Sequence, residues 1–369
     1  MLGIVAAFVV AELSLRLMQP FPALTSAGRM ELPVNTELRI QDHGHDGLDD
    51  PIDVRFNSLG FRGPEPNGDE SVIRIITVGG STTQCLYLSE GKTWPDQVAQ
   101  ILAEDVPNVW MNNAGMDGHS TFGHLQMMSH VEAINPDIVV FYVGINDVDR
   151  IDLNGFDSEL MRGKRRNEES FLKTGYRKLV ATSECVCIFD AWRRHRQAAS
   201  RGLTHFSSID HGRFQDAPTK EWTDAERQES LRKMDMHAVS GFAKRIESLV
   251  ARTKACGASP VLMTQAVLFG DSVDPITGTD LSHVKIGNED GYVLSHKLKV
   301  YNQVTRDIAR KEGILLIDLA VDLPKSSLYY YDWIHNNNDG AKAIGRIVAP
   351  DLEKLIRRRA SRTPTSSLP

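Results

Sequence analysis

Cysteine is scarce in this sequence, and none of it is placed for chemistry. Cys85, Cys185, Cys187 and Cys256 form no C-x-x-C pair and stand at no zinc-like spacing from a histidine, so they supply no metal site. Nor is a disulfide framework implied, because 369 residues can bury a sizeable core without staples. An excess of one charge is lacking too: 42 basic against 48 acidic residues leave a formal charge of -6, no field for a polyanion, and nucleic acid is not expected as a partner. The short basic runs at Lys164–Arg166, Arg193–Arg196 and Arg357–Arg359 read as solvated faces. Glycine patterns that cradle phosphate are missing. Gly91-Lys92-Thr93 would end a P-loop, but Leu86 stands where its first glycine belongs, and Gly79-Gly80 is followed by no glycine at dinucleotide spacing. No internal repeat is present.

A long hydrophobic run is also missing. Met1 to Ala11 is apolar and uncharged, but Glu12 and Arg16 interrupt it short of the ~20 residues that span a bilayer, and it lacks the basic start of a secretory signal. Residues 1–20 are read as a short membrane anchor that places the rest outside the cytoplasm, in preference to an amphipathic helix docked on a cytoplasmic protein.

What is present is a globular balance, 41% hydrophobic and 24% charged. Residues 21–72, with Pro33, Gly44, Gly47 and Pro51, read as a lead-in rather than a domain, and "HGHDG" at His43 to Gly47 as a plain turn. From Ile73, short β-branched runs alternate with helical stretches. The runs are Ile73–Val78, Val109–Asn112, Ile138–Val143, Val261–Thr264 and Ile314–Leu319; helices are expected near Thr93–Leu102, Thr121–Ile134, Asp224–Thr253, Val300–Lys311 and Gly340–Arg359. This alternation predicts an α/β fold: a doubly wound parallel sheet of the flavodoxin-like three-layer kind over residues 73–360. Two connections exceed the usual few residues, near 148–220 and 265–296, and read as insertions roofing the carboxyl ends of the strands. The tail 361–369, rich in Ser, Thr and Pro, reads as disordered.

In "ITVGGSTT", Ser81 falls just past the first sheet strand, at the edge where ligands meet such sheets. With phosphate binding excluded by spacing, the functional reading is a nucleophile. A serine hydroxyl then needs a base, a group orienting that base, and donors for the oxyanion. "YYYDWIHNNNDG" offers Asp332 and His335, three apart after the last strand, a spacing at which the carboxylate can reach one imidazole nitrogen. "NNAGMDGHS" offers Gly118, with Gly115 as its competitor, and "YVGINDV" offers Asn146. Taken singly, each has a plain turn or cap reading. Tyr329, Tyr330, Tyr331 and Trp333 read as packing around the last strand rather than a sugar platform, and His119 as a substrate contact.

Jointly, serine, glycine, asparagine and an Asp/His pair after successive strands resemble the SGNH hydrolase superfamily, also called GDSL-type esterases and lipases, over roughly Ile73 to Arg358. The resemblance implies Ser81 as nucleophile and donor of one oxyanion N–H, Gly118 and Asn146 as the other donors, His335 as base then acid, and Asp332 as its orienter. It implies that Gly144 and Asp147 shape the turn carrying Asn146. Gly80 and Thr82 depart from the eponymous G-D-S-L, while Thr83 keeps a G-x-S-x-T variant. The apolar start followed by "AELSLRL", together with "FNSLGFRG" at Phe56 to Gly63, looks like membrane-anchored bacterial members. The activity so implied is a serine esterase without metal or organic cofactor, removing a short acyl group such as acetyl from a carbohydrate or lipid-like alcohol. The alternatives are an O-acyltransferase using the same acyl-enzyme and an inactive binding protein on the same fold.

Overall fold

The computed structural model describes residues 2–18, 32–41, 44–45, 47–66, 68–69, 71–153, 157, 176, 179–180, 182–189, 219 and 221–362. Its strands are β1 (Thr36–Ile40), β2 (Ile52–Phe56), β3 (Ile73–Gly79), β4 (Val109–Asn113), β5 (Ile138–Tyr142), β6 (Ser259–Met263), β7 (Lys285–Ile286), β8 (Glu289–Asp290) and β9 (Leu315–Ile317). Its helices are α1 (Leu2–Met18), α2 (Ser81–Gln84), α3 (Trp94–Asp105), α4 (Thr121–Ala133), α5 (Asp224–Arg232), α6 (Met236–Ala255), α7 (Gly291–Glu312), α8 (Leu319–Asp322) and α9 (Asn338–Arg362).

Five strands form one parallel sheet in the order β4-β3-β5-β6-β9. In chain order this is second, first, third, fourth, fifth, the flavodoxin-like doubly wound arrangement. Every residue of the central strand β5, "IVVFY", is buried, as a parallel strand covered on both faces requires. Alternate side chains feed two cores. On one face Ile76, Val78 and Phe141 meet Met127 of α4, Phe242 of α6 and Tyr301 of α7. On the other, Ile75, Val140 and Tyr142 meet Trp94 and Leu102 of α3 and Ile344 and Leu352 of α9. The reversal of winding beside β3 opens a crevice at the carboxyl ends of β4, β3 and β5, where such folds bind ligands.

Capping explains where the helices depart from the periodicity. The stretch expected as one helix from Asp224 is two, because both Thr223 and Asp235 act as N-caps: Thr223 forms a capping box with Glu226, and Asp235 accepts from the His237 amide. The helix expected from Val300 begins at Gly291, capped by Asp290 accepting from Val293 N at 2.9 Å. The second insertion is therefore shorter than expected, ending at Asp290, and it carries the β7–β8 hairpin. Most of the insertion expected near 148–220, and the tail beyond 362, lie outside the described residues.

In the lead-in, β1 and β2 pair antiparallel from Thr36↔Phe56 to Ile40↔Ile52 and bury Ile40, Ile52, Val54 and Phe56 against Leu86 and Tyr87. At the far N-terminus, Glu12 of α1 accepts from Ser183 Oγ, Glu184 N and Cys185 N at 2.9, 2.9 and 3.0 Å, and Arg16 pairs with Glu12 while donating to Thr182 O. Phe8, Val9, Val10, Leu13 and Leu17 are exposed. No helix among the described residues is long and apolar enough to cross a membrane.

Candidate active site

The site begins with two glycines closely approached by their neighbours. A Cβ at Gly79 would overlap Thr83 Oγ1 and the Tyr142 carbonyl, and one at Gly80 would come within 2.6 Å of Asn146 Nδ2. Without side chains there, β3 can turn at once into α2, with Ser81 as its first residue. The Thr83 and Gln84 amides bond Gly80 O, Cys85 N bonds Ser81 O at 2.9 Å, and Cys85 ends the turn in the left-handed region at φ 51°. The aspartate of G-D-S-L is replaced here by glycine, at a position beside Asn146.

The Asp332–His335 loop follows β9. It is closed by Tyr331 N donating to His335 O at 3.1 Å and by a bridge between Tyr330 and Asn336. Asp332 Oδ1 accepts the Ile334 and His335 amides, each at 2.7 Å, which leaves Oδ2 to accept from His335 Nδ1, also at 2.7 Å. With Nδ1 as donor, His335 Nε2 is the acceptor, and it stands 2.7 Å from Ser81 Oγ. Burial works against charge on both groups, but each stabilises the charged form of the other. His335 is consequently held above its usual range, with Asp117 adding to the effect of Asp332, and Asp332 is held below the usual carboxylate range. The Tyr331 ring stacks on His335 at 5.6 Å and Tyr87 meets Tyr331 edge-on at 5.8 Å, forming an aromatic wall beside the imidazole. Tyr330 and Tyr331 are buried, and Tyr329 and Trp333 pack on the apolar clusters, so this run does pack around the last strand.

The segment after β4 lies along β3 through Ala114 N to Thr77 O and Met116 N to Gly79 O, then turns back with His119 N donating to Met116 O at 3.2 Å. Gly118 occupies that turn at φ 65°. Gly115 is differently employed. Its N–H donates to Asn113 Oδ1 at 2.9 Å, and a Cβ on it would overlap the α2 backbone at Gln84. His119 is not the expected substrate contact: it is 2% exposed, its ring packed against Gly123 and His124. Its carbonyl accepts from Asn146 Nδ2 at 3.0 Å, tying the loops after β4 and β5 together beside Gly80.

Asn146 rides a 3-10 turn, Ile145–Asp147, entered through Gly144 at φ 144°. Asp147 is buried beneath it and accepts from the Thr121 amide and hydroxyl and from Arg245, whose Nε donates to Thr121 Oγ1 at 2.6 Å. Burial pushes the Asp147 carboxyl up to about 6, the Thr121 and Arg245 contacts holding it from rising further. Ser120 is fixed likewise by Asp157, which accepts its amide at 2.7 Å and hydroxyl at 2.8 Å. Thr121, Arg245, Asp157, Asp117 and Tyr87 escaped the sequence reading. The only local signals were Ser120-Thr121 as helix caps and a charge in "GMDGHS".

A sequence model of the GDSL-like Lipase/Acylhydrolase family matches residues 77–343, well over half of the chain. The chain belongs to that family. No curated protein matches it. Among solved structures, this GDSL-like acylhydrolase is similar in fold to the acetyl xylan esterase AlAXEase at 17% identity and TM-score 0.42, covering 76% of this chain and 100% of that one. It is similar as well to the acetylxylan esterase Axe2 from Geobacillus stearothermophilus, at 14% identity and TM-score 0.41 with coverage of 76% and 94%. A lipase/acylhydrolase from Enterococcus faecalis matches at 15% identity and TM-score 0.42, covering 77% and 97%. The family acts on ester bonds, and Ser81, Asn146, Asp332 and His335 all lie inside the matched span.

Proposed function

We propose that this acylhydrolase is a serine esterase that removes a short acyl group, acetyl foremost, from a hydroxyl of a carbohydrate or lipid-like alcohol. The observation carrying this reading is the unbroken line from Asp332 through His335 to Ser81, with 2.7 Å at each link. Ser81 Oγ attacks the ester carbonyl as His335 Nε2 takes its proton, and the tetrahedral oxyanion is met by the amides of Ser81 and Gly118 and the side-chain amide of Asn146. Collapse expels the alcohol, which receives the proton from His335. Water, deprotonated in turn by His335, attacks the acyl-enzyme, and the acid leaves with Ser81 restored. Asp332 holds the imidazole in the tautomer that presents Nε2 and stabilises the imidazolium.

The test is direct. Ser81→Ala should abolish hydrolysis of p-nitrophenyl acetate, and a fluorophosphonate probe should modify the wild-type chain at Ser81 and nowhere in that variant. Turnover by Ser81→Ala at the wild-type rate would end the reading. We also propose that α1 lies against a lipid surface; the exposed Phe8, Val9, Val10, Leu13 and Leu17 support this.

A further inference from the structure

We propose that Arg62, in the lead-in before the sheet, is a positioning residue for the nucleophile, clamping the carbonyl end of the short helix that Ser81 begins. The inference rests on the reading of Ser81 given above. A helix of four residues cannot hold itself together, since nucleation costs more than one turn returns and the last four carbonyls of any helix find no partner inside it. In α2 nearly every carbonyl is such a terminal one, so its geometry is set by donors from elsewhere.

Those donors can be traced one by one. Ser81 O accepts from Cys85 N, and Thr82 O from the Trp94 indole at 3.2 Å. Thr83 O accepts from Asn113 Nδ2 at 2.6 Å. At the remaining end, where Cys85 O also accepts from Leu88 N at 2.9 Å and Gln84 O from Asn113 Nδ2 at 3.5 Å, Arg62 Nη1 donates to Gln84 O at 3.0 Å and Cys85 O at 2.5 Å, and its Nη2 to Leu88 O at 2.7 Å. Glu90 Oε1 accepts from Nε and Nη2 of the same guanidinium at 3.0 and 2.7 Å. The guanidinium itself lies in the interior, with Arg62 only 1% exposed, while Glu90 reaches it from a partly exposed position.

The clamp is itself fixed to the sheet. Arg62 N donates to Asn113 O and Asn113 N to Arg62 O, at 3.0 and 2.8 Å, so Arg62 and the Asn113 that holds Thr83 form one bridge at the end of β4. A positive charge there also faces the carbonyl-rich end of the turn, with the favourable sign. Only arginine offers a planar fork of five donors; lysine carries the charge without that reach. Because attack geometry fails steeply with displacement of the reacting atom, loosening Gln84 and Cys85 should show at Ser81 Oγ as lost rate, not as lost binding.

The experiment is Arg62→Lys in the full chain, with melting temperature, kcat, KM, the pH profile and the rate of fluorophosphonate labelling measured together. The expected result is a kcat lower by about tenfold to a hundredfold, with labelling slowed in parallel. KM and the acid limb of the profile should stay in place, since the hydrogen bonds traced from Arg62 end at Gln84, Cys85, Leu88, Glu90 and Asn113. Wild-type kcat and labelling rate overturn the proposal, as does a change in KM alone. If Arg62→Lys fails to fold, Glu90→Gln takes its place. It keeps an acceptor while removing the charge that anchors the guanidinium, and a smaller loss of kcat in the same direction is expected, an unchanged kcat overturning the proposal. Were the wild-type chain to resist labelling at Ser81, the nucleophile reading would fall instead, so the two failures are distinguishable.

Discussion

Residue by residue, the decisive fact is that Asp332 spends one oxygen on its own loop and the other on His335. The first rigidifies the carboxylate, and the second fixes which ring nitrogen faces Ser81. The pair was legible in the sequence because D-x-x-H is a local spacing, and its place after the last strand could be counted. Because only neutral His335 can accept the serine proton, kcat/KM should fall as pH drops through the pKa of the free enzyme. His335 is raised, so the midpoint of that fall should lie above the ordinary imidazole value. Asp332→Asn removes the carboxylate that raises it. The acid limb should then move to lower pH, and kcat should drop by about ten-thousandfold as the tautomer is lost. A limb that stays where it was, measured on p-nitrophenyl acetate across pH 5 to pH 9, would separate Asp332 from the base.

Among the elements, what places Asn146 is less visible in the chain. Asp147, Thr121 and Arg245 come from the turn after β5, the start of α4 and the middle of α6, so no spacing in the sequence could have joined them. The buried arginine on α6 reads locally as one more polar position on an amphipathic helix; only the fold gives it a carboxylate. The same limit hid Arg62, whereas the glycines and N-caps, acting over three or four residues, were open to reading even where the expected boundary missed them. The energetic consequence can be measured. Arg245→Met leaves Asp147 without its cation and should cost about 3–5 kcal/mol near neutral pH. The sign with pH is fixed by linkage: Asp147 titrates at about 6 in the fold, above an unfolded carboxylate, so the native state holds that proton more tightly. Stability from this group is present at low pH and is lost as pH rises through about 6. Without Arg245 the carboxyl is pushed higher still. The melting-temperature gap between variant and wild type should therefore be wide at pH 8 and narrow at pH 5, and a gap that does not change with pH would show that Asp147 carries no buried charge.

At the scale of the whole molecule, the alternation of strands and helices predicted the sheet, and the strand order β4-β3-β5-β6-β9 explains why Ser81 and His335 meet and why Asn146 lies beside Gly80: each follows a strand at the same edge of one parallel sheet. The N-terminal helix stands apart from this scheme. Its first residues carry no charge, and the two that end the apolar run are satisfied by the chain itself, Glu12 by Ser183, Glu184 and Cys185, and Arg16 by Glu12 and Thr182. The helix can thus present Phe8, Val9, Val10, Leu13 and Leu17 outward without exposing an unpaired ion to lipid. A chain beginning at residue 19 should hydrolyse p-nitrophenyl acetate within about twofold of the full chain, because α1 makes none of the contacts traced around Ser81 and surface changes away from buried features shift little. In flotation with phosphatidylcholine vesicles, the full chain should rise with the lipid and the shortened one should stay below. If both rise, lipid is met by another surface; if neither does, α1 is covered by protein and the lipid-surface proposal fails.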